Sequence, residues 1–216
     1  MNEDRGPAGR ARGPAPAPAE IERALEHAWG LLEAGAPEKV AGLLRPLLEG
    51  GVADPDDRAD LHHLLGVACE DSGDREGMVA EWLEARRLDV EGDDEARELG
   101  EAEFARVVQD ALDELPPEIL ERLRNVPLIA DDRPSEEMVR DGTDPRILGL
   151  FHGLSMPHES TLGPAFPDTI HLFARNIERV SADERELREE IRVTVLHETA
   201  HYFGFDEDEL ARLGLG

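Results

Sequence analysis

A single cysteine, Cys69, stands in 216 residues, so no intrachain disulfide framework is possible, which favours a reducing compartment. Cations are scarce too: 23 Lys and Arg face 50 Asp and Glu, a formal net charge of -27. Such a charge repels nucleic-acid phosphates and anionic membrane surfaces, which excludes polynucleotides as expected partners. Long apolar runs are missing. No stretch approaches the roughly 18 apolar residues of a membrane span, and the first residues lack the apolar block of a secretory signal. No membrane role and a cytoplasmic location are therefore expected. What is present is apolar sequence amounting to 40% of the chain, enough to bury a core in one domain or two small ones.

Gly6 to Ala19 is made almost wholly of Gly, Pro, Ala and Arg, a composition with little to pack, so residues 1–19 read as a disordered tail. From Glu20 apolar residues recur at helical spacing, predicting helices over about 20–34, 37–49, 57–72 and 75–88. Gly35-Ala36-Pro37 and Ser72-Gly73-Asp74 break them into two hairpins with a period of 38 between the turn glycines. Residues 20–95 thus read as tetratricopeptide-like repeats, whose usual period is about 34, or as a plain four-helix array. The second hairpin, with Leu65, Gly66, Cys69, Met78, Trp82 and Ala85, resembles that repeat better than the first. Two repeats are fewer than the three or so that usually stand alone, so the region is expected to lean on the rest of the chain or on a partner. Cys69, at a packing position, reads as a small buried residue.

A second unit, residues 101–216, begins after Glu91 to Glu95. Phe104, Val107, Val108, Ala111, Leu112 and Leu115 share one helical face, ended by Pro116-Pro117. A strand is expected over Val126 to Ala130, a short apolar run over Ile147 to Phe151, an irregular loop over Pro157 to Pro167, and an alternating strand over Thr169 to Phe173. The last helix is expected to start near Ser181, with Glu184 as capping-box partner, and to stop at Gly204. Leu187, Ile191, Thr194, Val195 and Tyr202 give it a buried face.

That helix carries His197-Glu198-Thr199-Ala200-His201. Residues four apart lie on one helical face, so both imidazoles can reach one Zn2+. Glu198 beside them can act as general base on a water. After the turn come Asp206, Glu207, Asp208 and Glu209, and no further histidine. One of these acids is expected to complete a three-ligand site; Glu207 has the best spacing, with Asp206 and Asp208 as substitutes. The same run also fits a solvated helix start. Of the other histidines, His62 and His63 read as surface or packing residues, while His152, His158 and His171 could line a cleft. His171, on a strand bordering the active-site helix, is the candidate for substrate binding by strand addition. Tyr202 is expected to face the core, which leaves the oxyanion stabiliser unassigned.

An ordered set of segments resembles the bacterial zincin-like metallopeptidases: Phe104-Ala105-Arg106-Val107-Val108, Leu115-Pro116-Pro117-Glu118, Leu148 to Gly153, Pro167 to Phe173, and Val195 to Glu207. The resemblance covers about Glu103 to Leu213. It implies a minimal α+β zincin domain, with a small mixed sheet, a backing helix and an active-site helix, and zinc held by His197 and His201. Members of that family tend to carry Asp where Glu207 stands. The first expectation is a zinc-dependent peptidase acting on a peptide or protein substrate, with the all-α repeats recruiting a protein partner or that substrate. The alternative is a non-catalytic scaffold stapled by zinc; the intact Glu198 argues against it, since a structural site needs no base. A zinc amidase of the deformylase kind would want a cysteine ligand in the same domain, and Cys69 is in the other.

Overall fold

The turn glycines show how the helical hairpins are built. Gly35 and Gly73 hold φ of +66° and +76°, a left-handed conformation that side chains disfavour. Around them Ala36 N–H donates to the Leu31 carbonyl at 2.9 Å and Asp74 N–H to the Cys69 carbonyl at 2.8 Å, the same Schellman closure in both. Leu31 and Cys69, like Gly35 and Gly73, are 38 residues apart, so the repeat spacing reappears in the hydrogen bonds.

These elements come from a computed structural model, which describes residues 15–93, 96–153, 168–206 and 209. In chain order they are α1 (Pro18–Glu33), α2 (Pro37–Gly50), α3 (Pro55–Asp71), α4 (Arg75–Glu91), α5 (Glu101–Asp113), α6 (Pro117–Leu123), β1 (Leu128–Asp131), α7 (Glu136–Asp141), β2 (Gly149–His152), β3 (Thr169–Phe173), α8 (Ala174–Val180) and α9 (Glu184–Tyr202). The fold is α+β. No described helix is long and apolar enough to cross a membrane. Of the expected tail, residues 1–14 lie outside the described residues, and Pro18 and Ala19 already belong to α1, because proline suits a helix's first turn, where its missing N–H costs no bond. The loop read over Pro157 to Pro167, with His158, also falls outside them.

The chain divides into two compact units: the first holds the residues up to Asp94 together with Glu136–Pro145, the second Glu95–Ser135 and Arg146 onward. In the first, Ile21, Ala28, Val40, Leu44, Leu61 and Leu65 form one buried cluster. Trp82, Met78, Cys69 and Val139 of α7 form another. This unit also takes in later sequence: besides Val139, Asp144 lies 2.9 Å from His63 Nε2. Arg75 also donates to the Arg140 and Asp141 carbonyls that end α7, at 3.2 and 3.0 Å. His62 pairs with Glu81 at 2.7 Å. His62 thus pairs within the helices, whereas His63 pairs with the segment that follows α7.

In the second unit the three described strands form a sheet of order β1-β3-β2. β1 runs parallel to β3, and β2 antiparallel to it. Ile170 and Leu172 of β3 face a core completed by Phe104, Val107 and Val108 of α5 and by Leu187, Ile191 and Val195 of α9. Buried Asn176 links α8 to the chain leading into β2: its amide donates to the Ile147 carbonyl at 2.7 Å, and its oxygen accepts from Arg133 at 2.7 Å.

Close packing predicts opposite outcomes for two helical glycines. A Cβ on Gly66 would come within 2.1 Å of the Trp82 ring, whereas one on Gly42 would meet nothing within 4 Å. In thermal or urea unfolding, Gly42→Ala is expected to stabilise by about 0.5–1 kcal/mol. Gly66→Ala is expected to destabilise by about 1–3 kcal/mol through overpacking.

Candidate metal centre

α9 begins two residues later than its expected cap. Asp183, not Ser181, accepts the Glu186 N–H at 2.8 Å, and Glu186 reaches back to the Ala182 N–H at 2.7 Å. Ser181 instead donates to the Ile177 carbonyl at 2.8 Å, at the end of α8. The expected box between Ser181 and Glu184 does not form: α8, a short helix with a polar pattern, takes Ser181, and Asp183 caps α9 in its place. The buried face is as read from spacing: Leu187, Ile191, Thr194, Val195 and Tyr202 are all buried. α9 ends where Gly204 takes φ +87°, and Phe205 N–H closes onto the Ala200 carbonyl at 3.1 Å.

That turn bears on the imidazoles. His201 Nδ1 lies 3.1 Å from the Phe205 carbonyl, and its Nε2 lies 2.9 Å from Nε2 of His197. Donation from Nδ1–H to the carbonyl puts the His201 lone pair on Nε2, on the side of His197, the tautomer a metal ligand needs. Two nitrogens on a tetrahedral Zn2+ lie roughly 3.3 Å apart, from Zn–N bonds of about 2.0–2.1 Å. The pair fits that ion with a shift of a few tenths of an ångström.

Glu198 sits on the same turn, 6% exposed, and its Oε2 accepts the Phe151 N–H at 2.7 Å. In the β2–β3 ladder Phe173 N–H bonds the Leu148 carbonyl. By antiparallel alternation Leu148, Leu150 and His152 therefore face β3, and Gly149 and Phe151 face the open side. Glu198 thus binds β2 on the edge that no other described strand pairs. Its place exists because Gly149 lacks a side chain: a Cβ there would lie 2.6 Å from Glu198 Cγ and 2.8 Å from Thr194 Cγ2. The Phe151 ring meets Tyr202 edge-on at 5.7 Å. Tyr202 is buried, as expected.

Between β2 and α9 opens a cleft of about 800 Å³. Ile147 to Phe151 form one wall and Glu190, Val193, Thr194, His197, Glu198 and His201 the other, with Gly204 and Phe205 at one end. Gly149, the Phe151 amide, Glu190 and Phe205 escape a motif reading. Helical spacing points to Glu190, seven residues before His197; the others depend on pairings distant in sequence.

The acidic run divides. Asp206 N–H donates to Glu209 at 3.1 Å and Glu209 N–H to Asp206 Oδ1 at 2.9 Å, a reciprocal capping box. Glu207 and Asp208 lie outside the described residues. Among the described residues, no group of three or more His, Cys, Asp or Glu that could hold a metal is formed.

His171 needs correction. β3 is the central strand, with β1 and β2 on its two sides, so it has no edge to offer an added strand. Its imidazole lies 3.3 Å from Asp131 of β1 and stacks at 6.1 Å on Phe173. Among the described residues it is not part of the cleft lining. Strand order depends on long-range pairing, which local alternation does not reveal.

Two ion pairs hold α9 to α5. Arg188 bonds Glu103, and Arg192 grips Glu114 at 2.9 and 3.0 Å. Each guanidinium holds its carboxyl partner below the ordinary glutamate value of 4.5. A lowered folded-state pKa adds stability that is present above the ordinary value and lost as the pH falls through the lowered one. Glu103→Gln/Glu114→Gln should therefore melt below wild type at pH 6, with the gap closing as the pH drops below about 4.5. In Gly149→Ala the steric conflict is expected to cost about 1–3 kcal/mol in thermal unfolding. A crystal structure of that variant should show the Phe151–Glu198 bond broken.

No curated protein matches the chain. Residues 123–216, which run from the end of α6 through the sheet and the histidine pair of α9, match the family model of the zincin-like metallopeptidases.

Proposed function

We propose that the chain is a zinc-dependent peptidase, with His197 and His201 as metal ligands, Glu207 as the third and Glu198 as general base. The observation that carries this reading is the convergence of the two Nε2 atoms, 2.9 Å apart, beside a buried carboxylate at the edge of a strand. When bound, zinc supplies Lewis acidity that brings a water's pKa near 7 and polarises a carbonyl. Asp206 is engaged in its capping box, which supports Glu207 over it.

Glu198 holds the Phe151 N–H through Oε2, and its carboxylate takes a proton from the attacking water and delivers it to the leaving amine. The same bond fixes the carboxylate's orientation, so little reordering precedes the transfer. The open edge of β2 at Gly149 is suited to pairing with an extended peptide, whose side chains would fall alternately into the cleft. The helical unit, whose Trp29 is half exposed, is assigned recruitment of a protein partner or substrate.

The test compares wild type with Glu198→Gln, His197→Ala and Glu207→Gln for zinc content and for cleavage of a mixed peptide library. Wild type should hold about one zinc per chain. Glu198→Gln should keep the zinc yet lose activity by about 10²–10⁴-fold. The two ligand variants should lose zinc. A zinc-loaded wild type that cleaves nothing beyond what Glu198→Gln cleaves would leave the scaffold reading in its place.

A further inference from the structure

Along α9 the cleft-facing positions continue one period beyond the histidine pair. Glu190, Val193, Thr194, His197 and His201 follow helical spacing and all line the cleft. The opposite wall is largely apolar, with Leu148, Leu150 and Phe151. Among the described residues no Lys or Arg lines the cleft. Its charged groups, the candidate metal ligands apart, are two carboxylates, and Glu198 is committed to Phe151.

Glu190 differs from the other acids of α9. Glu184 bonds Arg188 at 2.7 Å, Glu189 bonds Arg192 at 3.2 Å, and Glu186 bonds the Ala182 amide at 2.7 Å. Among the described residues, nothing hydrogen-bonds or ion-pairs with the Glu190 carboxylate, which is half-buried in the cleft wall. A carboxylate set among apolar walls and partly removed from water favours an incoming cation. The net charge of -27 adds a long-range attraction for the same sign.

We infer that Glu190 is a specificity-determining residue and that the cleft selects peptides carrying a cation close to the cleaved bond. The inference rests on the peptidase reading and adds its substrate class. Seven residues of helix separate Glu190 from His197, about 10 Å of rise, the length of about three residues of extended peptide. The cation thus lies within about three residues of the scissile bond. Two sources supply it, a Lys or Arg side chain or the free α-ammonium of a peptide's first residue.

The experiment uses the zinc-loaded full chain and matched peptides carrying Arg, its neutral isostere citrulline, or Glu at one to three positions from the cleaved bond, each with a free or acetylated N-terminus. Wild type should prefer the cationic peptide about 10- to 100-fold in kcat/KM. If the side chain is the source, the Arg-to-citrulline ratio carries the preference; if the α-ammonium is, acetylation abolishes it. Glu190→Gln should erase the preference and Glu190→Lys should invert it toward the Glu-bearing peptide. Glu189→Gln removes the same formal charge one residue away and should leave it intact, separating the cleft carboxylate from the field of the whole protein. Peptide binding to zinc-loaded Glu198→Gln, by fluorescence anisotropy with and without Glu190→Gln, reads the preference without turnover. Cation preference in binding with no cleavage by wild type would refute the peptidase reading and uphold Glu190. Equal binding and cleavage of Arg and citrulline peptides whether or not acetylated, or a preference that survives Glu190→Gln, would overturn the inference.

Discussion

The hydrogen bond of 2.7 Å between the Phe151 amide and Glu198 is where the sheet and the long helix of the second unit meet, and much of the surrounding structure depends on that contact. For a buried carboxylate to sit against a strand, the strand must present an amide no other strand has claimed, which requires β2 to be an edge. Two residues earlier the chain can carry no side chain at all, and Gly149 stands there. The register must place Phe151, not Leu150, outward, and Phe173 N–H to Leu148 sets it. Asn176 pins the preceding residue, Ile147, from α8. Each support is unremarkable alone; together they leave Glu198 little freedom, and a buried polar group so held is worth more than one seeking its partner.

Charge is distributed with a comparable division. Arg188 and Arg192 of α9 are spent away from the cleft lining, on Glu103, Glu114, Glu184 and Glu189. Such exposed pairs add little stability individually, but they tie both guanidinium groups to carboxylates outside the cleft lining. The cleft side is left with histidines and carboxylates. In a chain with more than twice as many acids as bases, keeping one face of a helix neutralised and the other negative sets up a local difference that net charge alone does not reveal.

The legible parts of the sequence were those governed by local periodicity. The α9 face of Leu187, Ile191, Thr194, Val195 and Tyr202, the stop at Gly204 and the α5 face from Phe104 to Ala111 all obey a 3.6-residue repeat that the chain must satisfy by itself. α7 and α8 were missed because six or seven residues are too few to establish a period, and polar residues interrupt both. The shift of the α9 cap from Ser181 to Asp183 is a consequence of α8. His171 was misplaced for a different reason: a strand of alternating residues looks the same at the edge of a sheet and at its centre, and only β1 and β2 closing on it from both sides distinguish the two.

The helical unit poses the same problem of completion. Its paired Schellman turns, 38 residues apart, define two hairpins, and stacked hairpins of this kind bury a continuous core only when another layer covers the last one. Here that layer is one turn and a half of helix from much later in the chain. Val139 is fully buried with Met78 and Trp82, Arg75 caps the carbonyls of α7, and His63 grips Asp144. The segment is drawn from between β1 and β2, two strands of the second unit. The closing element of the first unit is therefore encoded inside the sheet of the second, so neither unit corresponds to one uninterrupted stretch of sequence. A linear boundary near residue 95 follows the change of pattern and not this exchange, because six residues packed by one valine and a pair of carbonyls, with Asp144 just beyond, carry almost no periodic signal of their own.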